Sequence, residues 1–147
     1  MIVPDVNLLL YAYVDAYPEH PAAKAWWTEL VRSGNEVGLP LPVVYGFVRI
    51  ATNRRVYVKP MSIETALQRV ESWLAEPAVH VVLPGPRHLE IAFALLRGTG
   101  AAVDLTTDVQ IAALAIENQG EVHSNDTDFA RFPGLRFFNP LHPRRSK

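Results

Sequence analysis

The sequence lacks cysteine, a sizeable net charge and any long apolar run. Without cysteine there can be no disulfide framework, a composition typical of the reducing cytoplasm. The formal net charge of −1 gives no overall attraction to nucleic acid, so a polyanionic partner would need a local basic patch. No stretch approaches the roughly 20 apolar residues of a membrane span. Asp5 also lies where a signal peptide would carry positive charge. These absences predict a soluble, cytoplasmic protein.

What remains is the composition of a folded domain. With 147 residues, of which 49% are hydrophobic and 20% charged, the chain can bury a substantial core. We expect a single domain over residues 1–147, with a short polar tail from about residue 140. Short apolar strands alternate with longer segments of helical period. This alternation predicts an α/β fold, a parallel β-sheet of about four to five strands flanked by helices.

Strand and helix signals can be placed along the chain. Strands are predicted over residues 2–4, 37–39, 79–83, 121–123 and 136–138. Helices are predicted over residues 8–12, 21–31, 62–74, 87–96 and 104–117. Gly98 and Gly100 are expected to end the fourth of these helices, and Gly120 the fifth. Segment 43–51 fits a strand or a helix because it is rich in β-branched residues, but its length and the preceding proline favour a helix.

Acidic residues directly follow two of the predicted strands. Asp5 comes after the first strand, and Asp126 and Asp128 come after the strand at 121–123. If these two strands are adjacent and parallel, their carboxyl ends meet at one edge of the sheet and the three acids converge. Asp108 lies in the first turn of the helix at 104–117, where unsatisfied N–H groups favour a deprotonated acid.

Such a pocket requires a shared proton or a cation. Two carboxylates about 4 Å apart repel by roughly 4 kcal/mol at an effective dielectric constant near 20, which either occupant would relieve. Mg²⁺ or Mn²⁺ is the expected cation, because these ions prefer oxygen ligands and the sequence offers neither cysteine nor a His-x-x-x-His pair for zinc. Extended residues 126–128 would hold the two side chains about 7 Å apart, so we expect a turn there.

With these motifs in place, the chain resembles PIN-domain proteins, and specifically the VapC-type ribonuclease toxins of toxin–antitoxin pairs. The resemblance covers nearly the whole chain. Segments 5–7, 107–117 and 124–129 are similar to the three acid motifs of the family. Segments 46–49, 52–53, 132–135 and 139–141 are similar to a subgroup of these toxins.

The resemblance implies a Mg²⁺- or Mn²⁺-dependent endoribonuclease. In a family-like site, Asp5, Asp108 and Asp126 would hold the metal ion, and Asp128 would add a ligand or hydrogen-bond a bound water. Ser124 and Asn7 would orient the carboxylates. The implied partners are an RNA substrate, with transfer or ribosomal RNA expected, a cognate VapB-type antitoxin and a second copy of the chain. The antitoxin would lie in an apolar groove. Residues 8–11, Tyr13 and the aromatics of the second helix fit such a groove and fit core packing equally.

RNA would also need cations and stacking surfaces. Five basic residues could contact phosphates: Arg49, Arg54, Arg55, Lys59 and Arg131. For the group at 49–59, a solvated surface is favoured over a binding site. Tyr57 and Phe129 could stack on unpaired bases. The five histidines show no ligand spacing and are expected to be structural.

One position departs from the family pattern. Many relatives carry a glutamate on the helix after the second strand, and Gly46 is the best match here. Asp104, one turn before Asp108, could contribute a carboxylate instead. The missing glutamate leaves open a binding module that keeps the fold but cuts RNA weakly or not at all. A metal-dependent phosphatase that uses Asp126 and Asp128 is a further alternative, disfavoured because such enzymes place their acid pair after the first strand.

Overall fold

The computed structural model describes residues 1–100 and 106–143, so Asp104 lies outside the described residues. Five parallel strands form one sheet: β1 (Ile2–Pro4), β2 (Val37–Pro40), β3 (Val79–Val82), β4 (Glu121–His123) and β5 (Arg136–Phe138). Their order across the sheet is β3-β2-β1-β4-β5. The prediction of an α/β fold with a parallel sheet of about four to five strands is confirmed.

Six helices flank the sheet: α1 (Val6–Tyr13), α2 (His20–Arg32), α3 (Leu41–Ala51), α4 (Ile63–Leu74), α5 (His88–Thr99) and α6 (Thr106–Glu117). The ambiguous segment at 43–51 is helical, as favoured, and α3 begins with a proline in its first turn. Ser62 caps α4 by accepting a hydrogen bond from the backbone N–H of Thr65. No helix in the described part of the chain is long and apolar enough to cross a membrane.

Two of the predicted helix ends are wrong in detail. Gly98 lies inside α5, and Gly100 alone adopts the left-handed conformation that caps this helix, with φ of 66°. At the end of α6 the left-handed residue is Gln119, with φ of 54°. Gly120 is required for another reason: a Cβ atom there would lie 2.8 Å from the Met1 carbonyl oxygen, where the chain enters the sheet beside β1.

Most apolar side chains of α1 are buried. Leu8, Leu9 and Leu10 therefore follow the core-packing alternative and do not line a groove. Beside them, the rings of Phe47 and Trp73 pack edge to face, with centroids 4.8 Å apart. Burial of this kind stabilises the fold by about 2–3 kcal/mol for each large side chain.

The short connections fix the directions of the helices. Residues 33–36 join α2 to β2, and residues 75–78 join α4 to β3. Because every strand runs the same way, α2 and α4 must run towards the amino edge of the sheet and begin beyond its carboxyl edge. The starts of these two helices therefore lie on the same side of the molecule as the residues that follow β1 and β4.

Candidate metal centre

β1 and β4 are adjacent and parallel, which is the condition for their acids to meet. Val3 pairs with Val122 and Pro4 with His123. The backbone N–H of Asp5 donates to the His123 carbonyl at 2.9 Å, so the pairing continues one residue past the strand. Asp5 and Ser124 thus leave the sheet side by side at its carboxyl edge.

Asp5 is a buried carboxylate held at both oxygens. Its Oδ1 accepts a hydrogen bond from the Val6 N–H at 2.8 Å, which caps α1. Its Oδ2 accepts one from the Ser124 hydroxyl at 2.7 Å. Burial raises the pKa of Asp5 above its ordinary value; the two hydrogen bonds counteract this shift and the charge of Asp126 adds to it.

Ser124 connects the two acid-bearing segments. Its side chain is fully buried and donates to Asp5, while its oxygen accepts from the Asp126 N–H at 2.9 Å and the Asn7 amide at 3.3 Å. Asn7 in turn accepts from the Asn125 N–H at 3.4 Å. A hydroxyl can donate one hydrogen bond and accept two, so the hydrogen-bonding capacity of Ser124 is filled.

The expected turn at residues 126–128 is present as the start of a 3-10 helix over Thr127–Arg131. Asp126 caps it, with Oδ1 accepting from the Asp128 N–H at 2.9 Å. The turn brings the acids towards the first turn of α6. Asp108, Asp126 and Asp128 each place one carboxylate oxygen within 4.8 Å of the others, and Asp5 is outside this group of three.

The electrostatics of the pocket favour a cation. Burial raises the pKa of Asp108 to about 6, with further contributions from the charges of Asp5, Asp126 and Asp128. Arg131 opposes the shift; its guanidinium lies 3.8 Å from Asp128. Half of the Asp128 side chain is exposed, so the group of three opens to solvent on that side.

The group of three fits a hard divalent ion. Its ligands are all carboxylate oxygens, the type that Mg²⁺ and Mn²⁺ prefer. Metal–oxygen distances of about 2.1 Å allow ligand oxygens up to about 4.2 Å apart, so the observed spacing needs to close by less than about 1 Å. Asp5 lies outside this group and adds a fourth carboxylate. Hydrogen bonds from Ser124 and the Val6 N–H fix its position.

α3 contributes no carboxylate to this pocket, since its sequence LPVVYGFVRIA contains no acid. Gly46 is buried beside the start of α1, where a Cβ atom would lie 3.6 Å from the Val6 side chain. That is an ordinary contact distance. The backbone and its surroundings therefore accept a side chain at position 46.

The basic and aromatic candidates separate in the structure. Arg49, Arg54 and Arg55 are exposed and do not line the cavity described next. Phe129 is fully buried and cannot stack on a base, so that prediction is wrong. Lys59 and Tyr57 line a cavity together with Lys24 and Arg69, two cations that sequence reasoning missed. Their positions on α2 and α4 gave no signal, because only the fold brings them together.

Comparison with known proteins identifies the family of the chain. Residues 2–135 match the family model of the PIN domain. The chain belongs to the PIN-domain family. Ribonuclease VapC33 of Mycobacterium tuberculosis is 49% identical to this PIN domain over 141 residues, which cover 96% of the chain and 99% of the relative. Ribonuclease VapC43 of the same organism is 38% identical over 141 residues, 96% of each chain.

Solved structures match the PIN domain in fold. A chain of VapBC2 from Rickettsia felis, crystallised with a DNA fragment from its promoter, matches with a TM-score of 0.69 and 17% identity. The match covers 95% of this chain and 98% of that one. At this identity the similarity establishes the architecture of the PIN domain.

His123, the last residue of β4, precedes Ser124 of the candidate metal centre and bonds two side chains of the PIN domain. Trp26 donates its indole N–H to Nδ1 of His123 at 3.0 Å, so Nε2 carries the ring proton and donates to Glu121 at 2.8 Å. Burial lowers the pKa of His123. The neutral ring joins α2 to β4 and is structural, in agreement with the prediction for the histidines.

Proposed function

We propose that this PIN domain is a metal-dependent endoribonuclease toxin that is neutralised by a cognate antitoxin. The observation that carries the proposal is the group of three carboxylates, Asp108, Asp126 and Asp128, within 4.8 Å of one another at the carboxyl edge of the sheet. Relatives named ribonucleases, with identities up to 49% over almost the whole chain, support the same reaction and substrate class.

The acidic and polar residues of the pocket have different proposed roles in hydrolysis. Asp108, Asp126 and Asp128 hold Mg²⁺ or Mn²⁺, and Asp5 adds negative charge that attracts the divalent ion. Asp5, Asp108 and Asp126 are also the ligands that the family resemblance implies. When bound, the ion polarises a phosphodiester and lowers the pKa of an attacking water. Ser124 and Asn7 keep Asp5 and the backbone of the turn in place.

The antitoxin segment occupies the groove between α2 and α4. A cavity of about 570 Å³ lies there, over the buried rings of Trp27 and Trp73, with Tyr13 and Val31 as partly exposed apolar residues. Arg32 and Glu76 are among its polar residues, so the groove suits an amphipathic segment. Tyr13 and Trp27 were among the residues that the sequence offered for such a groove. The leucines of α1 were offered as well, but they are buried elsewhere in the core.

The chain forms a homodimer through an apolar face near the start of α3. Leu41 and Tyr45 line a cavity of about 290 Å³ and are 40% and 70% exposed. Leu83, which is 61% exposed, follows Val82 of the same cavity. Exposed apolar side chains grouped in this way mark interaction surfaces. The face is defined here as Leu41, Tyr45 and Leu83.

The reaction is tested with purified protein and cellular RNA. We expect cleavage with Mn²⁺ or Mg²⁺, none with EDTA, and a loss of at least about a hundredfold in Asp5→Asn and Asp126→Asn, since each removes a charge or ligand of the pocket. Glu90→Gln is the matched control, because this exposed acid lies on α5 away from the group of three. Full activity in either aspartate variant would contradict the assigned site.

The same experiment separates the two alternatives. A wild-type protein that binds its antitoxin but leaves RNA intact with both metals would be a binding module. Hydrolysis of small phosphomonoesters with RNA untouched would indicate a phosphatase. Mapping the cleaved ends across cellular RNA identifies the substrate, for which we propose transfer or ribosomal RNA.

A further inference from the structure

A second polar cavity lies beyond the carboxyl edge of the sheet, apart from the acidic pocket. It has a volume of about 470 Å³ and is formed by the ends of α1 and α3, the first turns of α2, one face of α4 and the loop that follows α3. Three cations from separate elements line it: Lys24 of α2, Lys59 of the loop and Arg69 of α4. Their convergence is a product of the fold.

The protein balances the positive charge of this cavity only in part. None of the three cations forms an ion pair with another described residue. Asp15 is the one acidic side chain among the described residues of the lining. Burial and a hydrogen bond to Tyr17 raise the pKa of Tyr57, so its hydroxyl adds no negative charge. A local positive field attracts a polyanion even in a chain whose net charge is close to zero.

The cavity also lies within reach of the acidic pocket. α1 connects the two: it begins next to Asp5 and ends at Tyr13, which lines the cavity. Its 8 residues span about 12 Å at 1.5 Å per residue. A few nucleotides of single strand bridge such a distance. Tyr57, which is partly exposed in the lining, adds an aromatic ring of the kind on which an unpaired base stacks.

We propose that Lys24, Lys59 and Arg69 bind the phosphate backbone of single-stranded RNA in this cavity and so extend the substrate site beyond the carboxylates. This inference rests on the proposed ribonuclease function. It also accounts for how an acidic pocket engages a polyanion. Without a bound metal ion, the carboxylates repel the RNA backbone. The three cations attract the phosphates at the cavity, which lies about one length of α1 away from the carboxylates.

The test measures binding without cleavage. A fluorescein-labelled oligouridylate of about ten nucleotides is titrated with protein in EDTA, and anisotropy is followed from about 50 to 200 mM salt. Lys24→Gln combined with Arg69→Gln should weaken binding about tenfold at the lowest salt. It should also flatten the slope of log affinity against log salt by about 1.4, because each single-strand phosphate contact contributes about 0.7. Arg69→Lys keeps the charge and should retain most of the affinity.

The matched control removes the same charge elsewhere. Arg87→Gln combined with Arg136→Gln alters two exposed cations; Arg136 begins β5 at the amino edge, and Arg87 lies beside the end of α6. We expect near wild-type affinity and slope. Circular dichroism of all variants confirms that they are folded.

The outcomes distinguish this inference from the proposed function. Equal losses in the control and test variants, or an unchanged salt slope in the test variant, overturn the inference even if RNA is cleaved. Unchanged RNA binding together with lost antitoxin binding also overturns it and assigns the cations to the protein partner. A selective loss of RNA binding in the test variant supports it, and it does so whether or not metal restores cleavage.

Discussion

At the scale of single residues, Ser124 connects the two acid-bearing segments of the candidate metal centre. Its hydroxyl joins Asp5 of the first motif to the backbone of Asp126 in the last. Ser124→Ala removes both bonds and leaves the Asp126 N–H without its partner. We expect a loss of about ten- to a hundredfold in RNA cleavage, as for other groups that orient metal ligands, with the fold retained. Ser72→Ala, which removes an exposed hydroxyl on α4, is the control for activity and melting temperature.

Asp108 links the same pocket to stability. Its folded-state pKa of about 6 exceeds the ordinary value of 3.8, so the stabilisation of the protonated form is complete below about pH 4 and is lost as the pH rises through 6. Asp108→Asn removes the repulsion. Without metal at pH 7 it should raise the free energy of unfolding by on the order of 1 kcal/mol after solvent screening, and the melting temperature by about 3 °C.

The pH dependence and the metal dependence check this prediction independently. The difference in melting temperature between variant and wild type should shrink towards pH 4, where the wild-type carboxyl is also neutral. Added Mn²⁺ should stabilise the wild type and have little effect on the variant. A variant less stable than the wild type at pH 7 in EDTA would show that the carboxylate is held by attractive contacts.

The acids themselves were predictable from sequence, because each follows a strand or opens a helix. Which of them come within ligand distance of one another was not predictable. The family resemblance implies Asp5, Asp108 and Asp126 as ligands, whereas the oxygens within 4.8 Å of one another belong to Asp108, Asp126 and Asp128. This difference depends on the 3-10 turn and on the Ser124 hydroxyl, and neither geometry is encoded by spacing alone.

At the scale of elements, the glycines of the fold serve different purposes. Gly46 lies inside α3 with room for a Cβ atom, 3.6 Å from Val6. Gly46→Ala should therefore stabilise the protein by about 1 kcal/mol through helix propensity. For a chain of this size that is about 3 °C in melting temperature.

Gly120 provides the opposite case. A Cβ atom there would lie 2.8 Å from a backbone oxygen, so Gly120→Ala should destabilise by about 1–3 kcal/mol. Thermal unfolding of both variants at one pH makes the comparison. A destabilised Gly46→Ala would mean that position 46 needs the absence of a side chain.

Strands and most helices could be predicted because apolar periodicity and capping residues are local signals. The ends were harder to place. Gly98 looked like a helix stop but continues α5, since Gly100 supplies the left-handed cap. Gly120 follows the end of α6, as predicted, but it does not cap the helix. A glycine is required there because the backbone of Met1, beside β1, lies too close for a side chain.

At the scale of the whole molecule, the apolar face of Leu41, Tyr45 and Leu83 predicts self-association. Tyr45→Lys places a charge at its most exposed residue, 70% exposed, and should convert a dimer to a monomer. Sedimentation velocity at micromolar concentration measures the change. Val58→Lys, at a fully exposed apolar residue of the loop after α3, is the matched control. A wild type that is already monomeric would contradict the proposed dimer.

Long-range assembly limits what sequence can predict at this scale. The carboxylate site could be inferred because adjacent parallel strands are a common arrangement with a known functional edge. The cationic cavity could not, because its lysines and arginine lie on three elements whose directions follow only from the complete topology.

The central position of β1 has a consequence for how the protein is made. β1 lies between β2 and β4, so it lacks one neighbour until residue 121 has been synthesised. Ser124, Asp126 and Asp128 follow later still. Because chains begin to fold from the amino end during translation, a nascent chain carries Asp5 and Asp108 before the last acids exist. The acidic pocket can therefore assemble only after residue 128 has been synthesised.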